Sequence, residues 1–372
     1  MVQRRQILKL VGGGVVLSAA ALAGFSTTRT PRQALRPWNQ AGQYKDPRLF
    51  ALSYAILAPN PHNRQPWMIE LIGENALRVF RDKSKNLPET DPFERQLTIG
   101  MGCFLEQFEI AARQRGFASE VDLFPAHSEL GENAAIADIR LVKTDAEPKD
   151  KDLFDVILQR RSCKEPYEAR AISREQAEIL SQYGEVITDP VQVEALKKIS
   201  LDAWYVEYET PRTLKESIDL MRFGKSEINA TPDGIDIGGP LLELLALTGT
   251  LNPQTMADPT STAYSTGIDM YEAMLSATPN YLLIKTNGNS RLEQIGAGRQ
   301  WLRANLQATK LGLSVQPVSQ ALQEYKEMEA LYEKIHQGFA VPGETLQMFG
   351  RLGYGPSLQA SPRWPIEKKL LG

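Results

Sequence analysis

Two short stretches of this chain carry the side chains best suited to chemistry. One is Ala58-Pro59-Asn60-Pro61-His62-Asn63-Arg64-Gln65-Pro66-Trp67, and the other, about a hundred residues later, is Arg160-Arg161-Ser162-Cys163-Lys164. The first crowds prolines and side-chain amides into a turn, and the second gathers cations around a hydroxyl. Amides on a stiffened turn suit the edge and face of a planar ring, and a guanidinium fork beside a hydroxyl suits a phosphate. Taken alone, Arg160, Arg161 and Lys164 would equally describe a solvated helix end.

Other chemistries find little support. The three histidines, His62, His127 and His336, have no ligand-like spacing, so no metal site is expected. No Ser-His-Asp or Cys-His set stands out. Cys103 and Cys163 are too few for a disulfide framework and read as small buried hydrophobes. A net charge of -3 on 372 residues, without a basic stripe interleaved with aromatics, argues against a nucleic-acid partner. Apolar content of 42% and charged content of 23% are those of an ordinary globular protein.

The elements that must position the two stretches can be read from periodicity. Asp46-Pro47 forms an N-cap with proline at the first helical position, and Leu49, Leu52 and Ile56 recur at helical spacing until Pro59. The amide-rich turn therefore sits just past a helix end. Residues 68–81 read as two strands around Gly73-Glu74-Asn75. Residues 26–45 read as a linker.

Residues 1–25 differ in kind. Arg4-Arg5, with Leu8 and Lys9 in step, precede a Gly- and Ala-rich apolar run from Leu10 to Phe25, with Ala21-Leu22-Ala23 as a cleavage candidate. The pattern resembles a twin-arginine export signal, implying the twin-arginine translocation machinery as a partner and a periplasmic or other extracytoplasmic destination. A retained membrane anchor is the alternative, although the run is shorter than the roughly 20 apolar residues of a span.

A repeat ties the chain together. Ile99-Gly100-Met101-Gly102 through Gly116 aligns without gaps on Ile295-Gly296-Ala297-Gly298 through Gly312, at an offset of 196. Each copy follows strand-like residues and precedes a segment ending in proline, Pro125 or Pro317. Convergent packing of small residues is the alternative to a duplicated half-domain.

Both opening stretches resemble FMN-binding segments of the nitroreductase family. The first keeps Pro59, Asn63, Gln65, Pro66 and Trp67, with Asn60 where serine is common; the second keeps Arg160, Ser162 and Lys164. By its N-terminal half the chain resembles the Acg-like sub-family, which has a duplicated, lidded architecture. The resemblance implies an α+β fold with a mixed sheet flanked by helices, in which two related halves, residues 46–150 and 151–367, form a single-chain pseudo-dimer. The family's homodimers take the arginine-serine segment from one subunit and the amide turn from the other, so this chain should complete one site. It would then be a monomer or a weak homo-oligomer. Residues 205–275 have no counterpart in the first half and would form a lid.

The resemblance also distributes roles. Arg160, Ser162 and Arg363 would hold the FMN phosphate, with Arg161 as the variable member of its triplet. Lys164 would lie near the pyrimidine edge, Asn60, Asn63 and Gln65 at the ring or ribityl chain, and Pro61 against the ring. The loop through Pro317, Val318 and Ser319 would approach flavin N5, with Gln320 where relatives keep a small glycine. No protein nucleophile is required, because the flavin carries hydride and electrons to a small-molecule acceptor such as a nitro compound or quinone. A non-catalytic flavin-storage protein is the alternative.

Overall fold

The computed structural model describes residues 28–125 and 135–372. The expected export signal and His127 lie outside the described residues.

The first half starts with helices α1 (Arg32–Gln40) and α2 (Pro47–Ala55). Asp46 caps α2 as expected, accepting from the Arg48 N–H at 2.8 Å. Strands β1 (Trp67–Ile72) and β2 (Ala76–Arg81) form the expected hairpin, helix α3 (Arg95–Arg113) follows, and β3 (Phe117–Leu123) and β4 (Ala135–Lys143) close an antiparallel sheet in the order β1-β2-β4-β3.

The second half repeats that plan around an insertion. It runs β5 (Glu185–Ile187), α4 (Pro190–Glu209), a short parallel pair β6 (Met221–Phe223) and β7 (Ile235–Ile237), α5 (Thr262–Ser276), β8 (Asn280–Asn287), α6 (Arg291–Lys310), β9 (Ser314–Pro317) and β10 (Glu344–Gly353). Its main sheet has the order β5-β8-β10-β9, all antiparallel. Matching β1 with β5, β2 with β8, β3 with β9 and β4 with β10 makes the two orders identical. The fold is α+β, with helices packed on two sheets that are antiparallel, where a mixed sheet was expected.

Helices α3 and α6, the two copies of the sequence repeat, cross at the centre. Ile99, Phe104 and Phe108 of α3 share one buried core with Ile295, Trp301 and Leu306 of α6. Charge fixes the pairing along the helices: Arg299 and Arg303 of α6 meet Glu106 of α3, and Arg303 also meets Asp150 at 2.8 Å.

The stretch expected to be a linker is not featureless. Residues 32–40 form α1, whose Trp38 is buried and donates its indole N–H to the Ser361 carbonyl at 2.8 Å. The C-terminal segment holds it there, since Arg363 N–H donates to the Ala34 carbonyl at 2.8 Å. Such long-range pairing leaves no local signature.

The insertion divides in two. Its aromatic residues belong to the second core, where Trp204 stacks on Tyr271 with centroids 3.6 Å apart and Tyr264 packs on Tyr208. The rest reaches across to the first half at several points: Arg212 pairs with Glu89 at 2.9 Å, Glu216 accepts from Thr90 N–H at 3.1 Å, Asn229 accepts from Ala34 N–H at 3.0 Å, and residues 232–234 meet the amide-rich turn.

Candidate functional site

The amide-rich turn is strained and clamped. Asn60 opens it, and His62, Asn63 and Gln65 all take left-handed φ, at 45°, 52° and 49°. Such conformations cost on the order of 1–3 kcal/mol each for residues other than glycine and persist only where surrounding structure imposes them. Here the clamp is visible. Asn60 Oδ1 accepts from Gln65 N–H at 2.7 Å. Gln65 Nε2 donates to the Pro232 carbonyl at 2.9 Å, its Oε1 accepts from Trp364 N–H at 2.8 Å, and buried Lys369 donates to its carbonyl at 2.7 Å.

Asn63 Nδ2 donates to Pro232 and Pro362 carbonyls, each at 3.1 Å, and its carbonyl accepts from Gly234 N–H at 3.2 Å. The turn, the insertion and the C-terminal segment thus meet at these two amides. The side-chain polar atoms of Asn63 and Gln65 are engaged by protein groups.

Asp233 is the second clamp. It pairs with Arg64 at 2.8 Å and Lys85 at 3.0 Å and accepts from the Trp364 indole at 2.8 Å. Burial raises its carboxyl, but the Trp364 bond and the lysine and arginine charges outweigh that and leave it below its ordinary value. From below, α3 supports the turn at Gly100, where a methyl would stand 3.1 Å from Pro61 Cδ and 3.2 Å from Asn60 Cβ. The repeat-equivalent Gly296 has nothing within 4 Å, so only the first half carries a turn on its glycine.

Arg160 and Arg363 come together beneath this turn, although 203 positions separate them in the chain. Both are buried and both donate to the Leu57 carbonyl, Arg160 Nη2 at 3.4 Å and Arg363 Nη2 at 3.1 Å. Arg363 also reaches the Ala58 carbonyl at 3.2 Å, Ser361 Oγ at 2.7 Å and Asn63 Oδ1. Arg160 Nη1 and Arg363 Nε are buried without a hydrogen-bond partner. Burial first, then repulsion among Arg160, Arg161 and Arg363, pushes the guanidiniums down, Arg160 to about 10 and Arg363 to about 9. Both remain cations at neutral pH, so the arrangement is a buried double positive charge.

The other buried arginines show how unusual that is. Among the described residues six arginines are buried: Arg48, Arg64, Arg95, Arg160, Arg351 and Arg363. Arg48 pairs with Asp46, Arg64 with Asp233 and Arg95 with Glu324. Arg160, Arg351 and Arg363 have no carboxylate within 4 Å among the described residues. A buried charge without an opposite charge costs several kcal/mol. An anion would offset the two charges, and the unpartnered N–H groups have the donor chemistry that a phosphate takes.

The other predicted residues have partners of their own. Arg161 is half-buried, with its guanidinium 4.7 Å from the Trp38 ring centroid, and its hydrogen bonds go to the Leu158, Arg160 and Leu358 carbonyls. Ser162 bridges Val315 of β9, which brings the cationic segment alongside the loop through Pro317, Val318 and Ser319. Val318 N–H and Ser319 Oγ both donate to the Phe349 carbonyl, at 3.0 and 3.4 Å.

Lys164 and Asp236 are exposed and His62 is half-buried, and Lys164 acts electrostatically on both. Desolvation, then Lys164 and Arg64, pushes His62 down to about 4, leaving it neutral. Desolvation likewise lowers Lys164 and raises Asp236, while each charge moderates the other's shift. Shallow depressions lie along Pro190–Lys198 and over β2 and β4, away from these residues.

Sequence reasoning missed Trp38, Gly100, Pro232, Asp233 and Arg351. Gly100 carried a signal, since it belongs to the repeated Ile-Gly-x-Gly motif, but its neighbour across the contact is set only by folding. Cys103 and Cys163 are buried, as expected.

No family model matches the chain. It is similar to the Mycobacterium tuberculosis protein named "Putative NAD(P)H nitroreductase Rv3131", at 24% identity over 330 residues, 86% of this chain and 88% of that protein. With "Putative NAD(P)H nitroreductase acg" of the same organism it is 28% identical over 123 residues, 32% of this chain and 34% of that relative, so the match spans about a third of the relative's length. Among solved structures, a putative nitroreductase from Anabaena variabilis covers 87% of this chain and 91% of its own, at 10% identity and a TM-score of 0.46. The FMN-dependent nitroreductase NfnB from Mycobacterium smegmatis, in complex with NADPH, covers 59% and 96% at 14% identity and a TM-score of 0.34. These structural likenesses are loose.

Proposed function

We propose that this chain binds one FMN at the junction of its halves and works as an oxidoreductase toward a small electron acceptor. The observation that carries the reading is the buried pair Arg160 and Arg363, two cations with no carboxylate and with unpartnered donors, seated under a strained amide-rich turn. A phosphate dianion would offset both charges. When bound, the flavin supplies the redox chemistry.

The residues around the pair have complementary tasks. Arg160, Arg363 and Ser162 hold the phosphate, while the Leu57 and Ala58 carbonyls orient the two guanidiniums. Asn60 and Pro61, pressed on Gly100, form a firm surface for a planar ring. Lys164 is an exposed cation close to Arg160 and Arg161 in sequence, and next to the ring it would stabilise an anionic reduced form. The open Gly296 supports a single site per chain, since the second half has no turn to complete a second one. Quantifying released flavin against protein tests the proposal. One FMN per chain is expected; a colourless protein that takes up no added FMN refutes it, and two per chain refute the single site.

A non-catalytic flavin-holding role has its own support. The insertion is tied to the turn through Pro232, Asp233 and Gly234, so a cover formed by this segment would be hydrogen-bonded in place. Under that reading NADPH reduces bound flavin slowly while dithionite, far smaller, reduces it readily. Rapid, saturable reduction by NADPH in anaerobic stopped-flow would favour turnover instead. Export by the twin-arginine route, which carries folded cargo, belongs to the proposal as well. Replacing Arg4 and Arg5 by lysine should then leave flavin-loaded protein in the cytoplasm, and undiminished export of that variant would exclude this route.

A further inference from the structure

Arg351 is the third buried arginine without a carboxylate, and the phosphate does not account for it. Its side chain is wholly buried near the C-terminal end of β10. Nε donates to Thr278 Oγ1 at 2.8 Å, Nη1 to Gln316 Oε1 at 2.5 Å, and Nη2 to the Glu165 carbonyl at 3.1 Å. The guanidinium also lies 4.0 Å from the Tyr167 ring centroid. Every one of these partners is formally neutral, so the positive charge is solvated by dipoles and left uncancelled.

Its partners are neighbours of the proposed flavin site. Glu165 follows Lys164, Gln316 precedes Pro317, and the bridge between Ser162 and Val315 runs alongside. Arg351 thus fastens the end of the cationic segment to β9 from within the core. A hydrophobic residue of similar length would fill this space without desolvating a charge, and burying an arginine among neutral partners is a net cost unless something else uses the charge. In a low-dielectric interior such a charge acts over several ångströms with little screening.

We propose that Arg351 is a positioning residue that raises the reduction potential of the bound flavin, by holding Lys164 in place and by adding its own uncancelled charge. The proposal rests on the FMN reading above. An anion formed on reduction is favoured by nearby positive charge, so the ratio of reduced to oxidised flavin at a fixed poise rises with it.

The test is the midpoint potential of FMN on the holoprotein, measured with reference dyes. Arg351→Met should lower the equilibrium ratio of reduced to oxidised flavin at least tenfold at a fixed poise, while Arg351→Lys keeps most of the wild-type value. Should Arg351→Met not yield folded holoprotein, Gln316→Glu places a carboxylate against the intact guanidinium and should lower the ratio in the same direction. A wild-type potential in Arg351→Met, or in Gln316→Glu where Met is not obtained, overturns the proposal, even if stability falls. Failure of the wild-type protein to bind FMN is a separate outcome, which overturns the flavin reading itself and this proposal with it.

Discussion

Gly102 and Gly298 face each other where α3 and α6 cross, and the contact is reciprocal. A methyl on Gly102 would stand 2.2 Å from the Ile295 carbonyl oxygen, and one on Gly298 would stand 2.0 Å from that of Ile99. Ile99 and Gly102 match Ile295 and Gly298 in the sequence repeat, so residue i touches j while j touches i, as at a two-fold interface. The halves associate as subunits would, around one pseudo-axis.

That geometry makes a symmetric prediction. Gly102→Ala and Gly298→Ala each drive a methyl into the partner helix backbone, which cannot swing aside as a side-chain tip can. Each should destabilise the fold by about 3 kcal/mol, at the upper end of overpacking costs. Gly296→Ala, in open space, should be tolerated. Urea unfolding of the three variants checks the ordering.

Arg160 should trade stability for binding. Its one hydrogen bond is long, at 3.4 Å, and Nη1 is unpartnered. Arg160→Met removes a buried uncompensated charge and should leave the apoprotein equally or more stable. The same change should weaken FMN binding by about 10- to 150-fold, the loss of one charge-assisted contact. Thermal melts of apoprotein and equilibrium dialysis with FMN read the two effects separately, and a strongly destabilised apoprotein would contradict the reasoning.

Gln65 is expected to act mainly through structure. Replacing it by alanine leaves the Trp364 N–H without its partner, at about 1–3 kcal/mol for a buried group, and leaves the Pro232 carbonyl with Asn63 alone. Global stability should fall by about 2 kcal/mol in urea unfolding. FMN release should also quicken, because the turn, insertion and C-terminal segment lose a shared anchor.

Glu207 supplies a pH signature away from the site. Burial raises its carboxyl from 4.5 to about 7, opposed by Gln323, which donates to it at 2.7 Å, and reinforced by Glu216. Between those values the folded state holds a proton that the unfolded state has released, so stability falls as pH rises through this window. The loss by pH 8 is on the order of 3 kcal/mol. Glu207→Gln keeps the geometry and lacks the titration. The gap between wild type and variant in denaturant midpoint should therefore widen from pH 5 to pH 8, and a constant gap would place the ionisation elsewhere.

Much of the design was legible in the chain because it is local. The Asp46-Pro47 cap, the hairpin around Gly73, the turn from Pro59 to Pro66 and the repeat of Ile-Gly-x-Gly are short patterns whose backbone preferences act within a few residues. They identify the α+β elements, the duplication and the two segments that meet. What joins those segments is not local. Arg363 reaches Leu57, Pro232 accepts from Gln65, Trp38 fills the space beside Arg161, and Arg351 ties Gln316 to Glu165 only after the halves have packed. Residue types alone could not separate a solvated cation cluster from a buried one, because the distinction is burial without a counter-charge. Tertiary structure decided it by drawing water and carboxylates away from Arg160 and Arg363 while leaving one N–H donor group of each without a partner.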